Sequence, residues 1–383
     1  MPKYGASHQA ICYIQHTGFL FRHPIATSGP VKQAALSESQ GKYEQAEQLY
    51  QRVLAIRQHV LGPNHPSTVG ILNNLAALYI KQGKYDLAEP LYQRALMIRK
   101  KVLGPEHPNI AQSLNNLGMY YHQQKRYEQA ELLYQRALIL NQRILGSCHT
   151  ETAHVLNNLA SLYSDQDKCE QAEELYQQAL MIREKVLGPN HTETAHVLNN
   201  LASLFSKQGK CEQAEELFRR ALEIMEQRLG YDHPITIQTF NNLATLYQNQ
   251  KKYEKAEMFF KYILKVYEKM LGPAHPNLAQ YLYRLGVSYC SREQFDQAEP
   301  VFQRALSICK KTLGLMHIDT AHSLYALAML YSHQGRYEQA RDLFEQALTI
   351  NQEMLGPDHP DTRIIVHNYE KLMEKRRVNE EIE

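Results

Sequence analysis

The chain has 383 residues, enough for two or three ordinary domains or for one extended repeat array. Its 44% hydrophobic and 21% charged residues, with no Trp and a formal net charge of +2, read as a soluble protein and argue against one that grips nucleic acid by neutralising phosphates. No apolar run approaches the roughly 18 residues of a membrane span, so the cytoplasm is the expected location.

Residues 1–30 have an apolar flavour broken by His16, Arg22 and His23, and they lack the ordered charged, apolar and small-residue segments of a secretion signal. This stretch is set apart as a non-repeat segment expected to be disordered. Gly29 and Pro30 fall inside the first expected helix, leaving "VKQAALSESQ" and a degenerate first repeat. Six cysteines contain no CxxC pair, and Cys169 and Cys211 stand where other copies carry Tyr, so they read as reduced packing residues.

From there the chain is periodic. Leu-Gly recurs at Leu61, Leu103, Leu145, Leu187, Leu229, Leu271, Leu313 and Leu355, always 42 residues apart. A register that does not slip implies that every copy makes the same contact with its neighbours. Within residues 67–103, Leu72, Leu75, Ala76 and Tyr79 form one helical stripe, and "GKY" at Gly83 punctuates it. Leu87, Leu91, Ala95, Ile98 and Val102 form a second stripe, which the prolines of "GPEHP" are expected to end. Each unit is thus helix A, tight turn, helix B and short loop. Residues 31–360 make about eight such units, and 361–383 read as a closing helix with Asp361 as its expected cap.

Helix A carries "LNNLA" or a close variant at Leu72, Leu114, Leu156, Leu198 and Phe240. Asn costs roughly 0.6 kcal/mol against Ala inside a helix, so the repetition needs a reason. On a wheel with Leu72 at zero, the apolar residues cluster near zero, the first Asn lies on the flank at about 100°, and the second lies nearly opposite at about 200°. The first Asn is expected to bond across the seam between successive A helices. The second Asn, as Asn74, Asn116, Asn158, Asn200 and Asn242, is expected on the exposed wall with Arg284 at the same site in the sixth copy. Lys81, Lys207, His154 and His196 share that exposed strip, whose other charge is Asp165.

The residues Leu75-Ala76, Tyr79, Ala88, Tyr92 and Ala95 fall at the spacings of the tetratricopeptide repeat, and the chain resembles that family over residues 31–378. The 42-residue unit with an "LGPxHP" connector resembles kinesin light chain repeats, and also nephrocystin-type and bacterial sensor arrays. The resemblance implies an all-α, right-handed α-solenoid of tandem tetratricopeptide helix pairs whose A helices line a concave groove. It further implies that the second Asn holds the backbone of an extended partner peptide, with Asn368 of the last helix at the same place. Lys81, Lys207 and Arg284 against Asp165 give a mild preference for an acidic segment. Nothing before Gln40 resembles the heptad coiled coil of kinesin light chains.

The connector histidines His65, His107, His149, His191, His233, His275, His317 and His359 occupy one repeat site, including both copies of "HTETAH", and are expected to cap helices, not to bind metal. No H-E-x-x-H, P-loop or G-x-S-x-G occurs, so no catalytic residue, metal or cofactor is expected. The expected function is a non-enzymatic protein–protein interaction scaffold that binds a peptide segment, with no nucleic acid or membrane insertion. The alternative is a sensor array detached from a nucleotide-hydrolysing signalling protein. Oligomeric state, partner and pathway are not legible.

Overall fold

The structure, a computed structural model, describes residues 28–39 and 41–380; most of the segment set apart as 1–30 lies outside these residues. Among the described residues there are 17 α-helices and one short 3₁₀ turn, and no strand. They fall into two compact units that divide at residue 189. The first unit holds α1 Ser28–Ser39, α2 Tyr43–Leu61, α3 Val69–Lys81, α4 Tyr85–Leu103, α5 Pro108–Gln123, α6 Tyr127–Ile144, α7 Thr150–Asp165 and α8 Cys169–Leu187. The second holds α9 Thr192–Lys207, α10 Cys211–Leu229, α11 Pro234–Asn249, α12 Tyr253–Leu271, α13 Asn277–Cys290, α14 Phe295–Thr312, α15 Ile318–His333, α16 Tyr337–Leu355 and α17 Pro360–Glu380. Odd-numbered helices are the A members of each pair and even-numbered helices the B members. Within each unit every helix packs on the next.

The core follows the repeat. Ala46, Ala88, Ala130, Ala172, Ala214, Ala256, Ala298 and Ala340 are all at 0% exposure, where helix B meets its partner A. Four residues on, the aromatic series from Tyr50 to Phe344 is buried as well. Small beside large is what lets two helices approach while leaving no void.

The A–B turn closes as a left-handed cap. In the second repeat the Lys84 N–H donates to Tyr79 O at 2.8 Å and Gly83 has φ +72°. Gly41, Gly83, Gly209 and Gly335 hold this position, but Lys125, Asp167, Lys251 and Glu293 hold it in the other four copies, with φ of 57° to 59°. The prolines expected to end helix B do something else. Helix B ends one residue after its last Leu, at a glycine such as Gly104 with φ 78° and ψ 167°, a conformation open essentially to Gly alone. The prolines then begin the following A helix: Pro108 and Pro234 stand in first turns, where the missing N–H costs nothing.

Each connector histidine caps that A helix. Its Nδ1 accepts the backbone N–H two residues on, from Ser67, Asn109, Glu151, Glu193, Ile235, Asn277, Asp319 and Asp361, at 3.1–3.3 Å. At α17 this corrects the expectation that Asp361 is the cap: His359 does the capping, and Asp361 lies in the first turn, where a carboxylate complements the helix dipole. At the other end α1 forms from Ser28 despite Gly29 and Pro30, because Pro30 sits in the first turn.

Successive repeats are clasped by a charged triad. A Glu of helix B accepts the hydroxyl of a Tyr on the next A helix: Glu47–Tyr79, Glu89–Tyr121, Glu131–Tyr163, Glu215–Tyr247, Glu257–Tyr289 and Glu299–Tyr331, at 2.7–3.3 Å. A cation from the following turn pairs with the same Glu and lies over the same ring. Arg126 is 3.1 Å from Glu89 and 4.4 Å from the Tyr121 centroid, and Arg336 is 2.9 Å from Glu299 and 3.8 Å from Tyr331. In the sixth copy Gln294 takes the cation's place, and Arg292 reaches Glu257 at 2.6 Å instead.

Burial works to raise the carboxyls of Glu47, Glu215 and Glu257, but their Lys, Arg and Tyr partners outweigh it and hold all three below the ordinary value of a glutamate. A depressed native pKa stabilises the fold above the unfolded value, and that contribution fades as pH falls through the native one. The melting temperature is therefore expected to hold between pH 7 and 5 and to drop below about 4.5. Glu257→Gln should make the acid-side drop shallower. A profile of unchanged slope in that variant would contradict the clasp's role.

Candidate peptide-binding wall

The exposed strip of the A helices is where the wheel places it. Gly70, Lys81, Gln112, Gln123, Asp165, Lys207, Gln238, Asn249, Gln280, Ser291, His322 and His333 are exposed, and His154 and His196 are half-buried. Between the strip and the core lie the asparagines. Asn74, Asn116, Asn158, Asn200 and Asn242 are all half-buried, as is Arg284.

Their hydrogen bonds show a pattern the wheel does not contain. Asn158 Nδ2 donates to Asn115 Oδ1 at 3.0 Å, and Asn242 Nδ2 to Asn199 Oδ1 at 3.3 Å. The second Asn of one repeat thus bonds the first Asn of the repeat before it. Asn368 makes the same rung to Tyr325 Oη at 2.8 Å, because Tyr replaces the first Asn there. The seam expected of the first Asn is present at Asn115 and Asn199, whereas Asn73 Oδ1 and Asn241 Oδ1 are buried with no hydrogen-bond partner among the described residues.

The remaining wall residues differ in how committed they are. Asn74 bonds Tyr50, and Arg284 Nη1 donates to Thr245 Oγ1 at 2.6 Å. Asn158 Nδ2 also lies 3.5 Å from His154 Nε2, so both its N–H groups are directed at neighbours while its Oδ1 accepts no bond from another described residue. Asn116 makes no side-chain hydrogen bond among the described residues. The amide of Asn116 and the Oδ1 of Asn158 are thus carboxamide groups of this wall that make no side-chain bond to another described residue.

The charges on the strip are partly neutralised across repeats. Lys81 pairs with Glu38 at 2.8 Å, and Asp165 pairs with His122 at 2.9 Å. Counting Lys81, Lys207 and Arg284 against Asp165 in sequence leaves out partners 43 residues away. Ser203 and Thr245 turn their hydroxyls back to Asn199 O and Asn241 O at 2.9 and 2.8 Å.

Paired helices in tandem, clasped one repeat to the next, define an all-α solenoid of repeat type. A family model for the tetratricopeptide repeat matches residues 30–96, 67–143, 151–227, 207–269, 235–311, 277–353 and 319–376. The chain belongs to the tetratricopeptide repeat family. No protein of curated function matches it in sequence. Among solved structures it is similar to a kinesin light chain protein of nearly identical TPR-like repeats from Podosopora anserina, at 24% identity over 54% of this chain and 98% of that one, with a TM-score of 0.49. It is also similar to BtubC (BKLC) from P. vanneervenii, at 26% identity over 62% and 93%, with a TM-score of 0.48. A STAND signal-transduction ATPase with a tetratricopeptide repeat sensor, from Pyrococcus horikoshii, aligns over 91% of this chain and 53% of its own, at 15% identity and a TM-score of 0.59.

Proposed function

We propose that the chain is a non-enzymatic, cytoplasmic scaffold that binds an extended segment of a protein partner along the exposed wall of its A helices. The observation that carries this reading is the set of half-buried carboxamides on that wall, recurring at one site, with Asn158 and Asn242 held by seam rungs. Each contact to a peptide backbone contributes about 0.5 to 1.5 kcal/mol net, so micromolar affinity, about 8 kcal/mol, needs several repeats together with side-chain contacts. Tetratricopeptide arrays generally bind protein partners, which agrees with this reading. A mild preference for acidic segments would act through the cations of the wall, Lys81, Lys207 and Arg284, of which Lys81 also pairs with Glu38 at 2.8 Å.

The test is capture of partners by the full chain beside the triple variant Asn116→Ala/Asn158→Ala/Asn242→Ala, with Asn115→Ala as the control that breaks a rung without touching the wall. Partners captured by the wild type should be lost by the triple variant and captured more weakly, but not lost, by Asn115→Ala, at unchanged helicity. Retention of every partner by a folded triple variant would overturn the asparagine wall. A second reading, a sensor array, is favoured by the alignment of nearly the whole chain with the repeat-bearing STAND protein, a likeness of fold. A nucleotide-hydrolysing domain encoded upstream in the same reading frame would support it.

A further inference from the structure

One position on helix B recurs wherever that helix meets the first turn of the next A helix. In the first, second and fourth copies it is arginine, as Arg57, Arg99 and Arg183. Arg57 Nη1 donates to Ser67 O, and Arg99 donates to Asn109 O at 2.6 Å, to Ser113 Oγ at 2.9 Å and to Gln112 Oε1 at 2.9 Å. In the third copy Asn141 Nδ2 makes the shorter version of the same bond, to Glu151 O at 3.1 Å. The fifth and sixth copies fill the space with bulk, where Met225 receives Thr239 Oγ1 at 3.2 Å and Tyr267 stacks on Tyr281 with centroids 5.4 Å apart, and the eighth carries Asn351.

In the seventh copy the position is Cys309, and its side chain is too short to fill the space. Cys309 Sγ stops 3.7 Å from Ser323 Oγ, the counterpart of Ser113, and a cavity of about 530 Å³ opens there. Cys309 and Ser323, both buried, line it together with Tyr283, Gln280, His322 and Asp319. His322 and Asp319 are the counterparts of Gln112 and Asn109, the other two acceptors of Arg99. The replacement of Asn by Asp adds a carboxylate, which no Lys or Arg among the described residues pairs; its near neighbours are His317 and His322, at 3.7 and 4.0 Å.

From this we infer that the Cys309 cavity is a binding site for a guanidinium group supplied from outside, which takes the place that the Arg99 guanidinium holds in the second repeat. The acceptors are the Asp319 carboxylate and the oxygen of the Ser323 hydroxyl, whose own hydrogen is donated to the Asp319 carbonyl at 2.9 Å, with the Tyr283 ring as an apolar wall. A planar group with forked donors meets several acceptors at once, which an ammonium cannot do to the same degree. The group can come from a free small molecule or from an arginine of a bound segment. Gln280 and His322 also belong to the exposed strip, so an arginine in a segment on the wall can reach the cavity. Only that peptide source rests on the proposed function; the free-ligand source stands without it.

The full chain is titrated at pH 8 with agmatine, with the capped tripeptide Gly-Arg-Gly, and with the same tripeptide carrying citrulline, which keeps the shape and loses the charge. Binding is read by calorimetry and by thermal shift. The arginine compounds should bind saturably at one site and citrulline roughly tenfold more weakly or worse, the loss expected for a charged hydrogen bond. Tighter binding of agmatine than of the tripeptide identifies a free-ligand site, and the reverse order a peptide anchor. Cys309→Arg should fill the cavity with the chain's own guanidinium, raise the melting temperature and abolish binding. Asp319→Asn should weaken binding roughly tenfold at unchanged helicity, and it decides the matter if Cys309→Arg fails to fold. Arg99→Cys should add a second, weaker site, since Asn109 lacks the carboxylate. Equal binding of citrulline and arginine compounds, or wild-type binding by Asp319→Asn, overturns the assignment. Asn116→Ala/Asn158→Ala/Asn242→Ala should leave agmatine binding intact, which separates failure of this site from failure of the asparagine wall.

Discussion

Replacing Lys125, Asp167, Lys251 and Glu293 together by Gly is expected to raise the melting temperature by several degrees. All four stand at the left-handed turn position, with φ between 57° and 59°, where their counterparts are Gly41, Gly83, Gly209 and Gly335. A side chain there costs roughly 1–2 kcal/mol, and Gly gives back about half to one of these through its freer unfolded chain. The net gain is roughly 0.5–1 kcal/mol at each site, with two sites in each compact unit. Differential scanning calorimetry checks it. An unchanged or lowered midpoint would mean that these turns are not strained. The reverse swap, Gly83→Lys, should lower the midpoint by a similar step.

Glycines of the connector should behave in the opposite way. Gly104 (φ 78°, ψ 167°) and Gly272 (φ 88°, ψ 162°) leave room for a Cβ, with nothing within 4 Å, so an added methyl meets no obstacle in the native packing. The cost of Ala is therefore conformational. Only Gly holds this backbone region comfortably, and Gly104→Ala or Gly272→Ala should each cost about 1–3 kcal/mol. Gly70 supplies the internal control. It is helical, and its Cβ would also meet nothing within 4 Å, so Gly70→Ala should stabilise by about 0.5–1 kcal/mol. Chemical denaturation of the three variants reads the contrast. Equal effects at Gly70 and Gly272 would contradict the assignment of the connector conformation.

These contrasts mark what periodicity makes legible. A 42-residue register and two apolar stripes suffice for helix A, turn and helix B, because burial of a stripe against a neighbouring copy dominates the energetics of each repeat. Helix ends are less legible. The prolines of the connector look like terminators, yet the glycine before them ends helix B and the histidine between them caps the next helix. A histidine in every connector is the signal for that cap, and the sequence displays it.

The wall is legible only in part, because a helical wheel treats one helix at a time. It places the Asn158 side chain opposite the core, and the side chain then reaches back 43 residues to Asn115. The same distance hides the pairing of Lys81 with Glu38 and of Asp165 with His122. The triad clasps were open to reading, since Glu89, Tyr121 and Arg126 each recur with the repeat period, but their meeting depends on the stacking of one pair on the next. The Cys309 cavity is legible only as a column down the repeats, where Arg57, Arg99, Asn141, Arg183, Met225 and Tyr267 give way to a thiol before Asn351 closes the series.

Binding through the A-helix wall has a rival surface in the same molecule. Met97, Ile139 and Met181, one repeat apart on the B helices of the first unit, are 59%, 63% and 66% exposed. A photo-crosslinking residue placed in turn at Gln112 and Gln238 on the A wall, and at Ile139 and Met181 on the B face, separates the two in cells. Adducts with a partner from the A-wall sites, absent from the B-face sites, are the predicted result. Adducts from Ile139 and Met181 alone would contradict the account and move the interaction to the opposite face of the repeats.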